Sequence, residues 1–110
     1  MARGRPPGSR VRENLIEVLH VLKRAYGYEL YLAYREVFPP VAMRTIYYHL
    51  RKGTQYGLFR VETVRVEPGS YSWGPDAERV YYVLGPRARP RRSVRVRQEL
   101  KGFLAQRESR

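Results

Sequence analysis

RTIYYHLRKGTQYGLF, residues 44–59, opens as a helix, meets a glycine and closes as the start of a strand. Ile46 and Leu50 recur at helical spacing, which predicts a helix over residues 42–52 with Met43, Ile46, Tyr47 and Leu50 turned inward. Its other side presents Arg44, Thr45, Tyr48, His49, Arg51 and Lys52. Gly53 weakens the last turn or caps it. A solvated helix usually mixes charge signs, yet residues 37–61 hold Arg44, Arg51, Lys52 and Arg60 and no acid. A surface that lies against phosphates excludes carboxylates, because at a few Å across a partly dehydrated contact their repulsion is poorly screened.

The chain on either side supplies the frame for that helix. Upstream, Ser9 is a helix cap, and Val11, Leu15, Val18, Leu19 and Leu22 form an amphipathic stripe to about residue 24. His20 on that helix reads as an ordinary surface or boundary histidine. Ala25, Tyr26 and Gly27 interrupt the pattern. A second helix over 28–37 then aligns Leu30, Ala33, Tyr34 and Val37, and Phe38, Pro39 and Pro40 end it. Downstream, residues 60–67 and 79–84 are rich in Val, Thr and Tyr and read as strands. Apolar positions in the first change parity after Val61, which predicts a bulge near Thr63. The Gly- and Pro-dense loop 68–77 joins them, Pro86 and Pro90 enforce an extended basic linker, and Ser93 caps a short last helix with an apolar seam of Val96, Leu100, Phe103 and Leu104. That seam can meet a twin copy or fold back on the first helix.

Composition narrows the class. At 110 residues the chain has the length of one domain, and its net charge of +12 points to a polyanion partner. The charge is concentrated: residues 1–12 contribute Arg3, Arg5, Arg10 and Arg12, residues 85–97 contribute Arg87, Arg89, Arg91, Arg92, Arg95 and Arg97, and neither segment holds an acid. With no cysteine and only His20 and His49, thiolate chemistry and structural zinc are not expected, and no cofactor is. Residues 1–10 lack an apolar signal region and no run is long enough to span a bilayer, so a cytoplasmic protein, associated with nucleoid or ribosome, is expected.

Three helices followed by a two-stranded antiparallel ribbon give an α+β fold, the order of a winged helix-turn-helix, in which the second helix of the turn enters the major groove and the ribbon flanks it. The expected organisation is a basic arm over 1–8, the winged-helix domain over 9–84, a Pro- and Arg-rich linker over 85–92 and a short helix within 93–110. YGYEL at 26–30, the opening stretch and ERVYYVL at 78–84 together resemble the PadR-type transcriptional regulators, over roughly residues 11–84. The family has a Tyr-Gly-Tyr entry to its second helix, a Thr-Ile-Tyr start to the recognition helix, a Gly-Leu before the wing and an Arg-x-Tyr-Tyr-x-Leu return strand. The resemblance implies DNA-binding repression, usually by a homodimer held through C-terminal helices. It places Thr45, Tyr48, His49 and Lys52 in the groove and the wing tip near 70–76. Arg44 departs from a frequent glycine and Gly53 from a usual core leucine, and the C-terminal region is much shorter than the family's dimerisation part.

Among the aromatics, Tyr47, Tyr81 and Tyr82 read as core or boundary residues, while Tyr48, Tyr71 and Trp73 are candidates to stack on nucleic acid. RGRP at 3–6 has the core of an AT-hook, whose guanidinium groups thread a narrow A·T minor groove; simple phosphate contact is the alternative role. A nearly neutral body with two arginine-rich arms also fits a ribosomal or RNA-associated structural protein whose arms thread rRNA. Catalysis is not expected: Glu13, Glu17, Glu62 and Glu67 are accounted for by helix and strand surfaces, and there is no nucleophile with a base or phosphate-cradling glycine loop.

Overall fold

Ser9 opens the first helix as its pattern requires: its Oγ accepts the Arg12 N–H at 3.2 Å, capping α1 (Arg10–Leu22). The structure, a computed structural model, describes residues 9–66 and 77–108. A two-residue strand, β1 (Ala25–Tyr26), leads into α2 (Gly27–Val37), and α3 (Met43–Gln55) follows. The ribbon is β2 (Phe59–Val66) and β3 (Ala77–Leu84), and α4 (Val94–Glu99) and α5 (Lys101–Glu108) close the described chain.

The sheet has three strands in the order β1-β3-β2, one more than the expected ribbon. Ala25 and Tyr26 pair with Tyr82 and Tyr81. A strand of two residues carries no periodicity, so the sequence shows only an interruption there. The bulge expected near Thr63 is absent, since pairing runs unbroken from Phe59↔Leu84 to Val66↔Ala77. Parity changes without a bulge because the ribbon leaves the core after Phe59: Val61 and its near neighbour Val80 are each 44% exposed, so no buried face holds the alternation.

Gly53 does not cap α3. It is buried within the helix, and a Cβ there would overlap the edge of the Phe59 ring at Cδ2 and Cε2. The cap lies further on, at Gly57, where φ is 82°. Leu58 N–H donates to the Gly53 carbonyl at 2.8 Å and Gly57 N–H to that of Thr54 at 3.2 Å, a Schellman ending. The helix therefore continues through Gln55 before the chain turns into β2.

Linker and tail are bound to the body. Residues 85–88 form a turn closed by Ala88 N–H on the Gly85 carbonyl at 3.2 Å, and Gly85 N–H donates to Leu58 at 2.8 Å. Further along, both carboxylate oxygens of Glu17, a residue only 7% exposed, accept backbone N–H groups, one from Arg91 and one from Ser93. This corrects Glu17 as a surface residue, and it fastens the linker to α1. Ser93 caps α4 through Val96 N–H at 3.2 Å. Of the apolar seam, Val96 and Leu100 are 2% and 0% exposed in the same core as Leu15, Leu30, Ile46 and Phe59, with Phe103 and Leu104 packed at its rim. The seam folds back, so Val96 and Leu100 are not a surface for a twin copy; each such burial contributes about 1.5–3 kcal/mol. Arg107 fastens α5 by donating to the carbonyls of Leu22 at 3.0 Å and Arg24 at 3.1 Å.

Gly53→Ala is expected to destabilise the protein by about 1–3 kcal/mol, because Phe59 must leave its position. Gly102→Ala in α5, where nothing lies within 4 Å, should instead stabilise it by about 0.5–1 kcal/mol. Urea unfolding of the two variants beside the parent checks both signs.

Candidate nucleic-acid interface

With Ile46, Leu50 and Gly53 buried, the opposite side of α3 is fixed by helical geometry as Arg44, Tyr48, Arg51 and Gln55, all exposed, with Thr45 and Lys52 half-buried beside them. The Arg51 guanidinium lies 5.9 Å from the centroid of the Tyr48 ring, and Tyr48 keeps 44% of its surface open. Arg44, Arg51 and Lys52 have no carboxylate partner among the described residues. The face is thus a positive strip with an aromatic plane and one amide. Gln55 belongs to it beyond the expected end at Lys52, and the signal for it in the sequence is Gly57, the residue that caps the helix.

Tyr47 is not inward. It is 42% exposed, and its ring lies where a Cβ on Gly27 would be, so the start of α2 approaches α3 across bare backbone. Glu29 completes that junction by accepting the Tyr26 N–H at 3.2 Å, and Leu30 is wholly buried. The YGYEL motif and the Thr-Ile-Tyr motif therefore meet in space. Tyr82 lies on the same side, and burial, then the neighbouring Tyr47, push its phenol above its ordinary value of 10.0.

His49 faces α1. Arg12 Nη1 lies 3.0 Å from His49 Nδ1, and a guanidinium can only donate, so Nδ1 accepts and the neutral ring carries its proton on Nε2. Ser9 Oγ is 3.5 Å from the same nitrogen. His49 therefore acts as a strut between α3 and the start of α1, and it brings residue 9, where the basic arm joins the body, beside α3. Arg10 is exposed at this corner. Arg3 and Arg5 of the arm, and Tyr71 and Trp73 of the wing loop, lie outside the described residues.

The four linker arginines are not gathered on one surface. Arg87 lays its aliphatic stem over Gly57 and shares an open cleft with Gln55 and Tyr56, next to the end of α3. Arg89 bonds to the nearby carbonyls of Ala88 at 3.1 Å and Pro86 at 3.4 Å. Arg91 pairs with Glu13 on α1 at 3.1 Å, and Arg92 lies near His20, about two turns along α1 from the Arg12 contact with His49. Among the described residues no helix is long and apolar enough to cross a membrane, and no His, Asp or Glu cluster could hold a metal ion.

The fold is PadR-like. A crystal structure of a PadR family transcription regulator from hypervirulent Clostridium difficile R20291 superposes with a TM-score of 0.53 at 22% sequence identity, covering 92% of this chain and 85% of that one. No protein-family model matches the sequence, and no curated protein does. The likeness is one of fold, to which this chain contributes its helices and a three-stranded antiparallel sheet.

Burial, then the charge of Arg12, lower the His49 pKa from its ordinary 6.5. Below 6.5 the unfolded chain then binds more protons than the folded one, so this contribution to stability is complete above 6.5 and declines as pH falls toward the folded value. In an NMR titration His49 should show a midpoint below 6.5 that moves up in Arg12→Leu. A midpoint at or above 6.5 in the parent would contradict the strut.

Proposed function

We propose that the chain is a non-enzymatic, cytoplasmic regulator of transcription that binds duplex DNA by laying the outward face of α3 in the major groove. The observation that carries this reading is the acid-free strip of Arg44, Tyr48, Arg51, Lys52 and Gln55 on the exposed side of the second helix of a winged helix-turn-helix. Arg44, Arg51 and Gln55 have the chemistry to reach guanine and adenine edges, Thr45 and Lys52 to hold flanking phosphates, and Tyr48 to pack against sugar or base. The fold of a transcription regulator supports the same assignment.

Two extensions would add contacts. The arm over 1–8 starts beside His49 and so can follow the groove adjoining α3, with Arg3 and Arg5 entering a minor groove or resting on phosphates. The loop over 68–77, carrying Tyr71 and Trp73, would serve as the wing. Arg87 extends the positive strip past Gln55. Of the apolar seam, Phe103 and Leu104 alone keep surface that a second copy could reach.

Replacing Arg44 and Arg51 together by Ala should lower duplex affinity at least about tenfold and flatten the slope of log K against log salt by about 1–2. Unchanged affinity and slope in a fluorescence-anisotropy titration would reject the groove assignment. Deleting residues 1–8 should chiefly lower affinity for unrelated duplexes at low salt; equal affinity with and without them would remove the arm from the interface.

A further inference from the structure

Two residues other than glycine adopt a positive φ among those described, Lys23 at 74° and Arg92 at 61°. Bulky side chains rarely occupy that region, and where they do the surrounding structure forces it and the site often has a use. Here both are exposed cations near His20: Lys23 shares a cleft with it, and Arg92 sits between the two backbone N–H groups held by Glu17 on α1; burial and then Lys23, Arg92 and Arg97 lower the His20 pKa. His20 and Lys23 also line an open cleft of about 270 Å³ with Arg60, Glu62 and Val83.

The acids of this region are engaged. Glu17 holds the Arg91 and Ser93 N–H groups, Glu62 pairs with Arg24 at 3.6 Å and Glu13 with Arg91 at 3.1 Å. Lys23, Arg60, Arg92 and Arg97 have no carboxylate partner among the described residues. The carbonyl end of α1 accounts for a cation at Lys23 and for His20. It does not account for Arg60, Arg92 and Arg97, which other segments bring to the same place. Four exposed cations without a carboxylate partner make a surface whose field attracts a polyanion.

The patch lies on the opposite side of the molecule from the α3 face. Gly53 on the inner side of α3 meets Phe59, and the next residue of β2, Arg60, points to the other face of the strand, where it joins Lys23 and His20. We propose that this surface, built from Lys23, Arg60, Arg92 and Arg97, binds a second DNA duplex, so that one copy of the chain links two segments. The proposal rests on the reading of α3 as the first duplex site. A single straight duplex cannot touch both faces: the body measures 29 × 25 Å in its narrow directions, and DNA stays stiff over about 150 base pairs. Two duplexes held that far apart are screened from each other at a Debye length of about 8–10 Å.

The test captures the protein on a bead-bound duplex and measures retention of a second, fluorescent duplex. Lys23→Gly, Arg92→Gly and Arg97→Ala are combined in one variant, since glycine suits both positive-φ positions and thermal melting can show the fold intact. The parent should retain the second duplex, and the variant should bind the first as the parent does while retaining at least about tenfold less of the second. A parent that binds the first duplex and retains none of the second overturns the link and leaves the α3 reading standing; a parent that binds no duplex overturns both. Equal retention by variant and parent, as a dimer using two α3 faces would give, also overturns it.

Discussion

The ring of Phe59 resting on the bare backbone of Gly53 sets the rotation of α3, and the surface chemistry of the protein follows from that rotation. An aromatic ring this close admits no side chain on the helix, so one line along α3 must face β2. Ile46 and Leu50 fall on the same line and are wholly buried. Every other residue of the helix takes its position from this, including the outward strip from Arg44 to Gln55. A second contact of the same kind, Tyr47 against Gly27, fixes where α2 begins relative to α3. Two glycines, each opposed by an aromatic from elsewhere in the chain, thus determine the geometry of the helix-turn-helix. At Gly53 the space a larger side chain would fill is taken by a ring reaching in from the strand.

Charge is sorted by the same architecture. The chain has ten acidic residues against twenty-two basic ones, and five of those acids are bound to the chain itself: Glu13, Glu17, Glu29, Glu62 and Glu99 each meet an arginine or a backbone N–H. Glu17 and Glu29 are buried, where hydrogen bonds to a carboxylate are worth about 1.5–3 kcal/mol each. Negative charge is therefore drawn into joints between elements. Among the described residues, cations without a carboxylate partner gather on two surfaces, one on α3 and one around His20. Electrostatic asymmetry in this protein arises as much from where its few acids are held as from the excess of arginine.

Features that depend on local pattern were legible in the sequence: Ser9 and Ser93 as caps, the stripes of the first three helices, the ribbon strands and the acid-free side of α3. Features that depend on a distant partner were not. Gly53 looks the same whether it ends a helix or receives a ring, and only Phe59 decides. Glu17 sits on a helix at a spacing that suits solvent, and its burial comes from backbone N–H groups of Arg91 and Ser93. His49 lies on the boundary of α3, where the choice between groove and core was made by Arg12. Val96 and Leu100 announced an apolar seam but not its destination. The expected bulge fails for a related reason: alternation marks a buried face only where the strand lies on the core, and the ribbon stands clear of it beyond Phe59.

The clamps on α1 also impose an order of assembly. Glu17 waits for backbone groups 74 and 76 positions later, and the carbonyls of Leu22 and Arg24 wait for a guanidinium 85 and 83 positions away. At about 5–20 residues per second on the ribosome, the first helix emerges roughly 4–17 s before its last restraint is synthesised. Through that interval the helices and ribbon between them can pair, while the groove beside α1 that later receives α4 stands open. Closure of the body is thus a late, long-range step.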